Sequence, residues 1–219
     1  MGSASIAALA KDLRRRLSGL DPRHQDWKLD ANSYTIAEVA NRGREFFFNE
    51  AFQEAYGEKP PADFFLGFKV CGYSAGAPLS ELYDIRIIND VCAEPALVQN
   101  KNDVGTRWDG EYESMTRLFL GVGNQFTSQL KALGYSEEEI GKITDHMVKT
   151  LSWSPVVSGM PIKNAIELAI FMVETAINFV RFGPGHNWVG GPVEVAAITK
   201  HEGFKWVQRK LFYQRELNA

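Results

Sequence analysis

The chain has 219 residues, of which 45% are apolar and 23% charged, and this size and composition allow one domain to bury a core. Its net charge of −3 comes from 24 basic and 27 acidic residues and gives no field that would attract a polyanion, so no nucleic-acid partner is expected. The short basic run Arg14–Arg16 does not change this expectation.

Only two cysteines occur, Cys71 and Cys92, and they are far apart in the sequence. Such a pair is neither a disulfide framework nor a zinc site, so we expect free, buried thiols in a reducing compartment. The amino end lacks the apolar core of a secretory signal, and no apolar run approaches the roughly 20 residues that span a bilayer. We therefore expect a cytoplasmic protein with no membrane partner.

The amino-terminal part of the chain is predicted to be helical. Apolar residues recur at three- and four-residue steps from Ile6 to Leu17, which indicates an amphipathic helix that starts near Ser3 or Ser5 and ends at Gly19. A polar connector, Asp21–Asn32, follows it. Thr35 and Glu38 have the spacing of a capping box, in which each side chain satisfies an unpaired backbone N–H. A second helix is therefore predicted from Thr35 to about Tyr56.

Two strands joined by a loop are predicted next. Apolar and β-branched residues fill Phe64–Cys71 and Leu82–Ile88, and a small, polar segment containing Gly and Pro separates them. This pattern is typical of an antiparallel hairpin. A weaker extended stretch is predicted at Ala96–Gln99, and glycines mark turns on both sides of 106–109.

Helical spacing returns after these turns. Apolar residues continue from Glu111 to Leu133, with a break expected around Gly121 and Gly123 because each glycine costs about 1 kcal/mol against alanine inside a helix. Ser136 and Glu139 form a second capping-box pattern, which predicts a further helix to about residue 151.

The most apolar predicted helix spans about Met160–Phe182. Its polar stripe is narrow, so we expect most of its circumference to be buried between layers. A glycine-rich segment, Gly183–Gly191, follows and is called here the closing corner. Alternation in Val193–Ile198 and the residues Phe204–Val207 then predict a two-stranded hairpin.

The four histidines do not form a recognisable site. His24, His146, His186 and His201 are scattered, and none has metal-ligand spacing to another His or to a Cys. We predict no metal and no cofactor, and we place His146 on the surface of a helix.

Other chemically suggestive groups have structural explanations. The closing corner lies between a helix and the following strand, whereas phosphate-binding loops precede a helix, so we interpret it as a tight turn. The pair Glu111 and Glu113 and the run Glu137–Glu139 fit helix starts, where carboxylates are favoured electrostatically. Ser74 lies in the predicted hairpin loop and lacks the strand-to-helix turn of a nucleophile elbow. No catalytic residue is assigned from these groups.

The order of the predicted elements resembles proteasome-type subunits of the N-terminal-nucleophile hydrolase superfamily over about 35–207. The most specific matches are G-Y-x-x-G at Gly72–Gly76, L-Y-x-I at Leu82–Ile85 and G-G-x-x-x-V-A-x-I-T at Gly190–Thr199. The resemblance implies an α+β fold, an αββα sandwich with two antiparallel sheets. It also implies hydrolysis of amide bonds, of peptides in particular, by an N-terminal Thr, Ser or Cys whose α-amino group acts as base.

We predict one domain, 1–219. It contains an N-terminal helix and connector (1–34), a proteasome-like core (35–207) and a C-terminal tail (208–219).

Two features depart from active members of this family. No strand beginning with Thr, Ser or Cys is visible before Thr35, and Ser3, which follows Gly2, leads into a helix. At the closing corner, active subunits commonly have Ser-Gly-Gly with an Asp shortly before it. Here Val189 occupies the serine position and no Asp lies between Arg181 and Val189. The catalytic nucleophile is therefore unknown.

Three hypotheses remain. The chain is a hydrolase subunit or fragment whose opening strands lie elsewhere, a non-catalytic assembly or interaction subunit, or an unrelated α+β ligand-binding domain. The first predicts a peptide substrate. It also predicts a homo-oligomer or a partner chain that supplies the missing strands, because an incomplete sheet exposes its edge.

Overall fold

The computed structural model describes residues 5–57, 59, 61–99 and 103–209, which form an α+β arrangement of helices and antiparallel strands. Two compact units are present: Met1–Asp103 with Thr199–His201, and Val104–Ile198 with Glu202–Ala219. A compact unit need not be a separate domain. The prediction of one domain, 1–219, divided at 34/35 and 207/208, therefore stays a prediction. Ser3 and most of the predicted tail lie outside the described residues.

The helices of the first unit begin where local capping predicts. Helix α1 spans Ile6–Leu17, and the Ser5 hydroxyl accepts the main-chain N–H of Ala8 at 3.2 Å. Helix α2 spans Ile36–Arg44, and the Thr35 hydroxyl accepts the main-chain N–H of Glu38 at 3.0 Å. Between them, the polar connector contains a 3₁₀ turn at Gln25–Trp27.

The predicted second helix continues to residue 56, but its middle is not a regular α-helix. Glu45–Phe52 is π-helical, and Gln53–Tyr56 forms α3. In this segment Phe46 packs on Trp27, Phe47 on Phe68 and Phe52 on Phe64, with ring centroids 6.5, 4.7 and 4.9 Å apart. The π-helical pattern and these contacts with residues distant in the sequence occur in the same segment, and sequence periodicity alone reveals neither.

A four-stranded antiparallel sheet completes the first unit. Its strands are β1 (Phe65–Gly72), β2 (Glu81–Ile88), β3 (Val91–Cys92) and β4 (Ala96–Gln99). β1 pairs with β2 from Phe65↔Ile88 to Gly72↔Glu81, and β3 and β4 also pair with β2.

The predicted hairpin and the extended stretch that follows it are confirmed; β3, with two residues, was too short to predict. Ile85 and Ile87 on one face pack with Ala40 and Phe52 in the core.

Local signals also set the helices of the second unit. They are α4 (Glu113–Leu120), α5 (Phe126–Ala132), α6 (Glu137–Leu151) and α7 (Ile162–Phe182). The predicted break occurs at Gly121, whose φ is +76°. Gly134, with φ +92°, lies just beyond α5, and Ser136 and Glu139 form the complete capping box of α6.

The expected burial of α7 is wrong. None of its residues is buried, and Phe171 and Phe182 are 44% and 79% exposed, although α7 does contact α4. Apolar periodicity shows which residues favour burial but not whether a layer is present to cover them. Within the described part of the chain, we find no helix with the length and hydropathy of a membrane span.

Strands β5 (Val195–Thr199) and β6 (Gly203–Gln208) form the predicted carboxyl-terminal hairpin as a two-stranded sheet. Val195 is buried, which agrees with a strand that packs on one face, whereas every residue of β6 is exposed. Stacking of the two sheets as a sandwich stays a prediction.

Candidate functional site

A groove of about 560 Å³ in the second unit is formed by the loop before α4, the middle of α7 and the closing corner. We call it the groove. It is lined by Arg107, Trp108, Asp109, Gly110 and Glu111 of the loop, Met115 of α4, Ala169, Met172, Val173 and Ala176 of α7, and Val189 of the closing corner. A concave, largely apolar surface with a few polar groups is the usual form of a ligand site.

The spacing of residues on α7 creates one wall of the groove. Ala169, Met172, Val173 and Ala176 lie three, four and seven positions apart, so they share one face of the helix. The two alanines leave space, and the methionine side chain adapts to different shapes. This face was recognisable in the sequence as apolar, but its role as the wall of a groove was not.

Aromatic stacking holds the opposite wall in place. The Trp108 ring stacks on Phe119 at a centroid distance of 5.2 Å, and Phe119 stacks on Trp153 at 5.4 Å. Phe119 is only 2% exposed, and its carbonyl accepts the main-chain N–H of Trp153 at 2.8 Å. Because Trp108 stacks on Phe119, a buried residue of α4, its ring is held in place at the groove.

A hydrogen bond ties the closing corner to the loop before α4. The indole N–H of Trp188 donates to Glu111 Oε2 at 3.1 Å, which joins residues 77 positions apart. Gly185 and Gly191 have φ values of +117° and +93°, a conformation that favours glycine, and the segment bends at both. A Cβ added at Gly190 or Gly191 would meet nothing within 4 Å, so the predicted tight turn with close backbone approach stays a prediction. Val189 of the corner lines the groove, as do the charged residues Arg107, Asp109 and Glu111 of the loop.

Glu113 belongs to the framework rather than to the groove lining. One of its carboxylate oxygens accepts the main-chain N–H of Asn124 at 2.7 Å, and the other accepts the Arg117 guanidinium at 2.6 Å. The Asn124 bond and then the Arg117 bond lower the pKa of Glu113, against an opposing effect of desolvation. The predicted structural role of this carboxylate at a helix start is confirmed, and it links α4 to the segment before α5.

Ser74 serves the start of α2. Its hydroxyl accepts the main-chain N–H of Ile36 at 3.0 Å and donates to Glu81 Oε2 at 2.8 Å. The first bond holds the hairpin loop against α2 and the second joins the loop to the start of β2, so this geometry adds no support for a serine nucleophile.

His24 contacts the carboxylate of Asp21, a pair that was not predicted from the sequence. His24 Nδ1 lies 3.1 Å from Asp21 Oδ2, and Asp21 is 7% exposed. The main-chain N–H of Arg23, with further bonds from His24 and the Arg23 guanidinium, lowers the pKa of Asp21 to about 2 despite its burial. Only the D-x-x-H spacing could have suggested the pair. His146 is exposed, as predicted.

The two thiols are free, but only one is buried. Cys92 is 5% exposed, and burial raises its pKa, although nearby Arg44 acts in the opposite direction. Cys71 is exposed, so the expectation that both thiols are buried is wrong. Its side chain alternates to the face of β1 away from the helical core, which apolar composition alone does not indicate. In the described ranges, no three or more His, Cys, Asp or Glu residues are grouped to hold a metal ion.

Comparison of the chain with models of protein families, with curated proteins and with solved structures found no match.

Proposed function

We propose that this chain is a subunit or fragment of a proteasome-like N-terminal-nucleophile hydrolase, whose parent activity is hydrolysis of peptide bonds. The order of elements supports this: α2 and α3, the β1–β2 hairpin, helices α4 to α7 and the β5–β6 hairpin follow the order that the family resemblance implies. The proposed sandwich would stack the two antiparallel sheets between helical layers.

The observation that carries the proposal is the position of Val189. This residue takes the serine position of the closing-corner motif, and it lines the groove together with Arg107, Asp109 and Glu111. The part of the family pattern that would lie beside the nucleophile therefore coincides with a cavity large enough for a peptide side chain and its backbone.

The chemistry of the lining suits a peptide. Met115, Met172 and Val173 offer apolar contact, and the charged residues Arg107, Asp109 and Glu111 make up the polar part of the same lining. The nucleophile is assigned to none of the described residues. In this proposal, a strand from a partner chain, a second copy or another segment brings an N-terminal Thr, Ser or Cys to the groove.

Peptide binding tests the groove directly. Ala169→Phe should fill it, whereas Ala165→Phe places the same ring one turn earlier on α7, outside the lining; both alanines are exposed, so both variants should fold. With a fluorogenic leucyl peptide followed by fluorescence anisotropy, we expect Ala169→Phe to bind at least about tenfold more weakly than wild type. Wild-type affinity in Ala169→Phe would show that the peptide does not use the groove.

Val189 also favours a second function, that of a non-catalytic assembly or interaction subunit. Its isopropyl group neither donates nor accepts a hydrogen bond, so it cannot support a nucleophile as a serine at this position would. The two functions differ in turnover by the protein with its native amino terminus. Peptide cleavage that an N-terminal-nucleophile inhibitor blocks supports the hydrolase, and binding without cleavage supports the interaction subunit.

A further inference from the structure

Strand β1 has an open edge. Among the residues that the structure describes, it pairs with β2 alone, along all eight of its residues and without a shift in register. No other strand of the described ranges lies along its opposite edge, so a further strand can be added there. Such an edge is a template for strand addition.

The sequence of β1 does not protect this edge. Edge strands are usually guarded by proline, by charged side chains or by a β-bulge. Phe65–Gly72 contains no proline and one charged residue, Lys69, whose ammonium lies 3.4 Å from Asp84 Oδ1 on β2. The irregularity of register in this sheet lies between β2 and β4, on the other side of the sheet.

A second cavity lies beside the same strand. It has a volume of about 230 Å³ and lies between Ile6 and Leu9 of α1, Phe47 of the π-helical segment and the stretch Phe64–Phe68. Every side chain in this lining is apolar. An apolar cavity of about 150 Å³ is enough to admit benzene, so this one has room for a large apolar or aromatic side chain.

We propose that an extended peptide segment with apolar residues at alternate positions pairs with the open edge of β1 and inserts one large apolar side chain between α1 and β1. Backbone hydrogen bonds to the edge supply affinity, and the cavity selects the side chain. The proposal concerns the first unit only and is independent of hydrolysis in the groove.

A free segment fits this place better than β1 of a second copy. The apolar face of β1 already carries helices, since Ala40 and Phe52 pack in the core with Phe68 and Val70. If β1 of a second copy paired with this edge so that the two sheets were continuous, the helices of that copy would lie on the same face of the sheet as α1 and would meet α1 beside the cavity. A bare strand brings none.

A pair of peptides tests the backbone component. The probe is a capped, labelled peptide of alternating Val and Thr with one central Phe, and its partner carries N-methyl groups on alternate amides along one edge. We expect the unmethylated peptide to bind, followed by fluorescence anisotropy, and the methylated peptide to bind at least about tenfold more weakly because it cannot pair with β1. Equal affinity of the two peptides, or no binding of either, would overturn the proposal.

A pair of protein variants tests the cavity. Ile6 and Leu20 are both 69% exposed, but only Ile6 lines the cavity, so Ile6→Asn and Leu20→Asn should fold equally well. We expect Ile6→Asn to weaken binding of the unmethylated peptide by about tenfold and Leu20→Asn to leave it unchanged. Equal effects of the two substitutions would refute the role of the cavity. A peptide-resistant dimer of the wild-type chain in sedimentation velocity would instead make a second copy the occupant.

Discussion

Gly121→Ala should destabilise the protein more than Gly134→Ala, although both glycines follow a helix and have positive φ, +76° and +92°. The two positions differ in their surroundings. A Cβ added at Gly134 meets nothing within 4 Å, whereas one added at Gly121 lies 2.4 Å from Leu151 Cβ and 3.3 Å from the Leu151 carbonyl oxygen. The comparison therefore separates backbone strain from steric clash.

The expected magnitudes follow from these contacts. A left-handed conformation costs an L-residue about 1–2 kcal/mol. Replacing glycine restricts the unfolded chain, which offsets about 0.4–1 kcal/mol of that cost. We therefore expect Gly134→Ala to lower the free energy of unfolding by about 1 kcal/mol. The clash with Leu151 adds about 1–3 kcal/mol, so Gly121→Ala should lower it by about 2–4 kcal/mol.

Urea denaturation followed by tryptophan fluorescence and by circular dichroism measures both changes. Agreement between the two probes would justify a two-state treatment. Equal destabilisation by the two substitutions would mean that Leu151 does not pack against the end of α4 as described. The reasoning about how α4, and with it one wall of the groove, is held in place would then fail.

Three further predictions test other parts of the structure. Ser136→Ala removes the capping box of α6 and should lower the free energy of unfolding in urea by about 1 kcal/mol. Phe52→Ala, at a fully buried ring, should cost about 3–5 kcal/mol in the same assay, far more than Phe65→Ala at a ring that is 64% exposed. The pKa of Asp21 is lowered to about 2, so its stabilising effect is present above its ordinary pKa and is lost as the pH falls through about 2. Asp21→Asn should therefore lower Tm at pH 7, and its difference from wild type should shrink towards pH 2.

Each of these predictions has a control or an opposing result. Ser128→Ala, at an exposed position within α5, should leave stability nearly unchanged, and an equal loss in both serine variants would exclude a specific capping effect. Similar costs at Phe52 and Phe65 would contradict the assigned core. A Tm difference between Asp21→Asn and wild type that is constant from pH 7 to pH 2 would show that the ionised carboxylate is not the stabilising form.

The elements that the sequence predicts correctly are those with local causes. The box at Ser136 and Glu139 satisfies backbone groups within one helical turn, and Gly121 ends α4 because its own φ is positive. Phe46 and Phe47 of the π-helical segment pack instead on Trp27 and Phe68, which are distant in the sequence. Periodicity along one helix contains no information about such partners.

The candidate site was predictable only in part. The glycine content of the closing corner and the valine at position 189 were visible in the sequence, because both are properties of a short segment. The groove itself depends on the bond between Trp188 and Glu111 across 77 positions and on which face of α7 remains uncovered. Both features depend on the tertiary structure, and the spacing of residues within one segment does not predict them.

Mapping the residue that a peptide-based covalent inhibitor of N-terminal-nucleophile hydrolases modifies tests the central proposal most directly. The protein with its native amino terminus is treated together with any partner chain that copurifies with it, and every chain is analysed by mass spectrometry, alongside Ala169→Phe and Ala165→Phe. The proposed hydrolase predicts an adduct on an N-terminal Thr, Ser or Cys, with labelling lost in Ala169→Phe and kept in Ala165→Phe. An adduct on Ser74, labelling that Ala169→Phe does not reduce, or no adduct at all would contradict it.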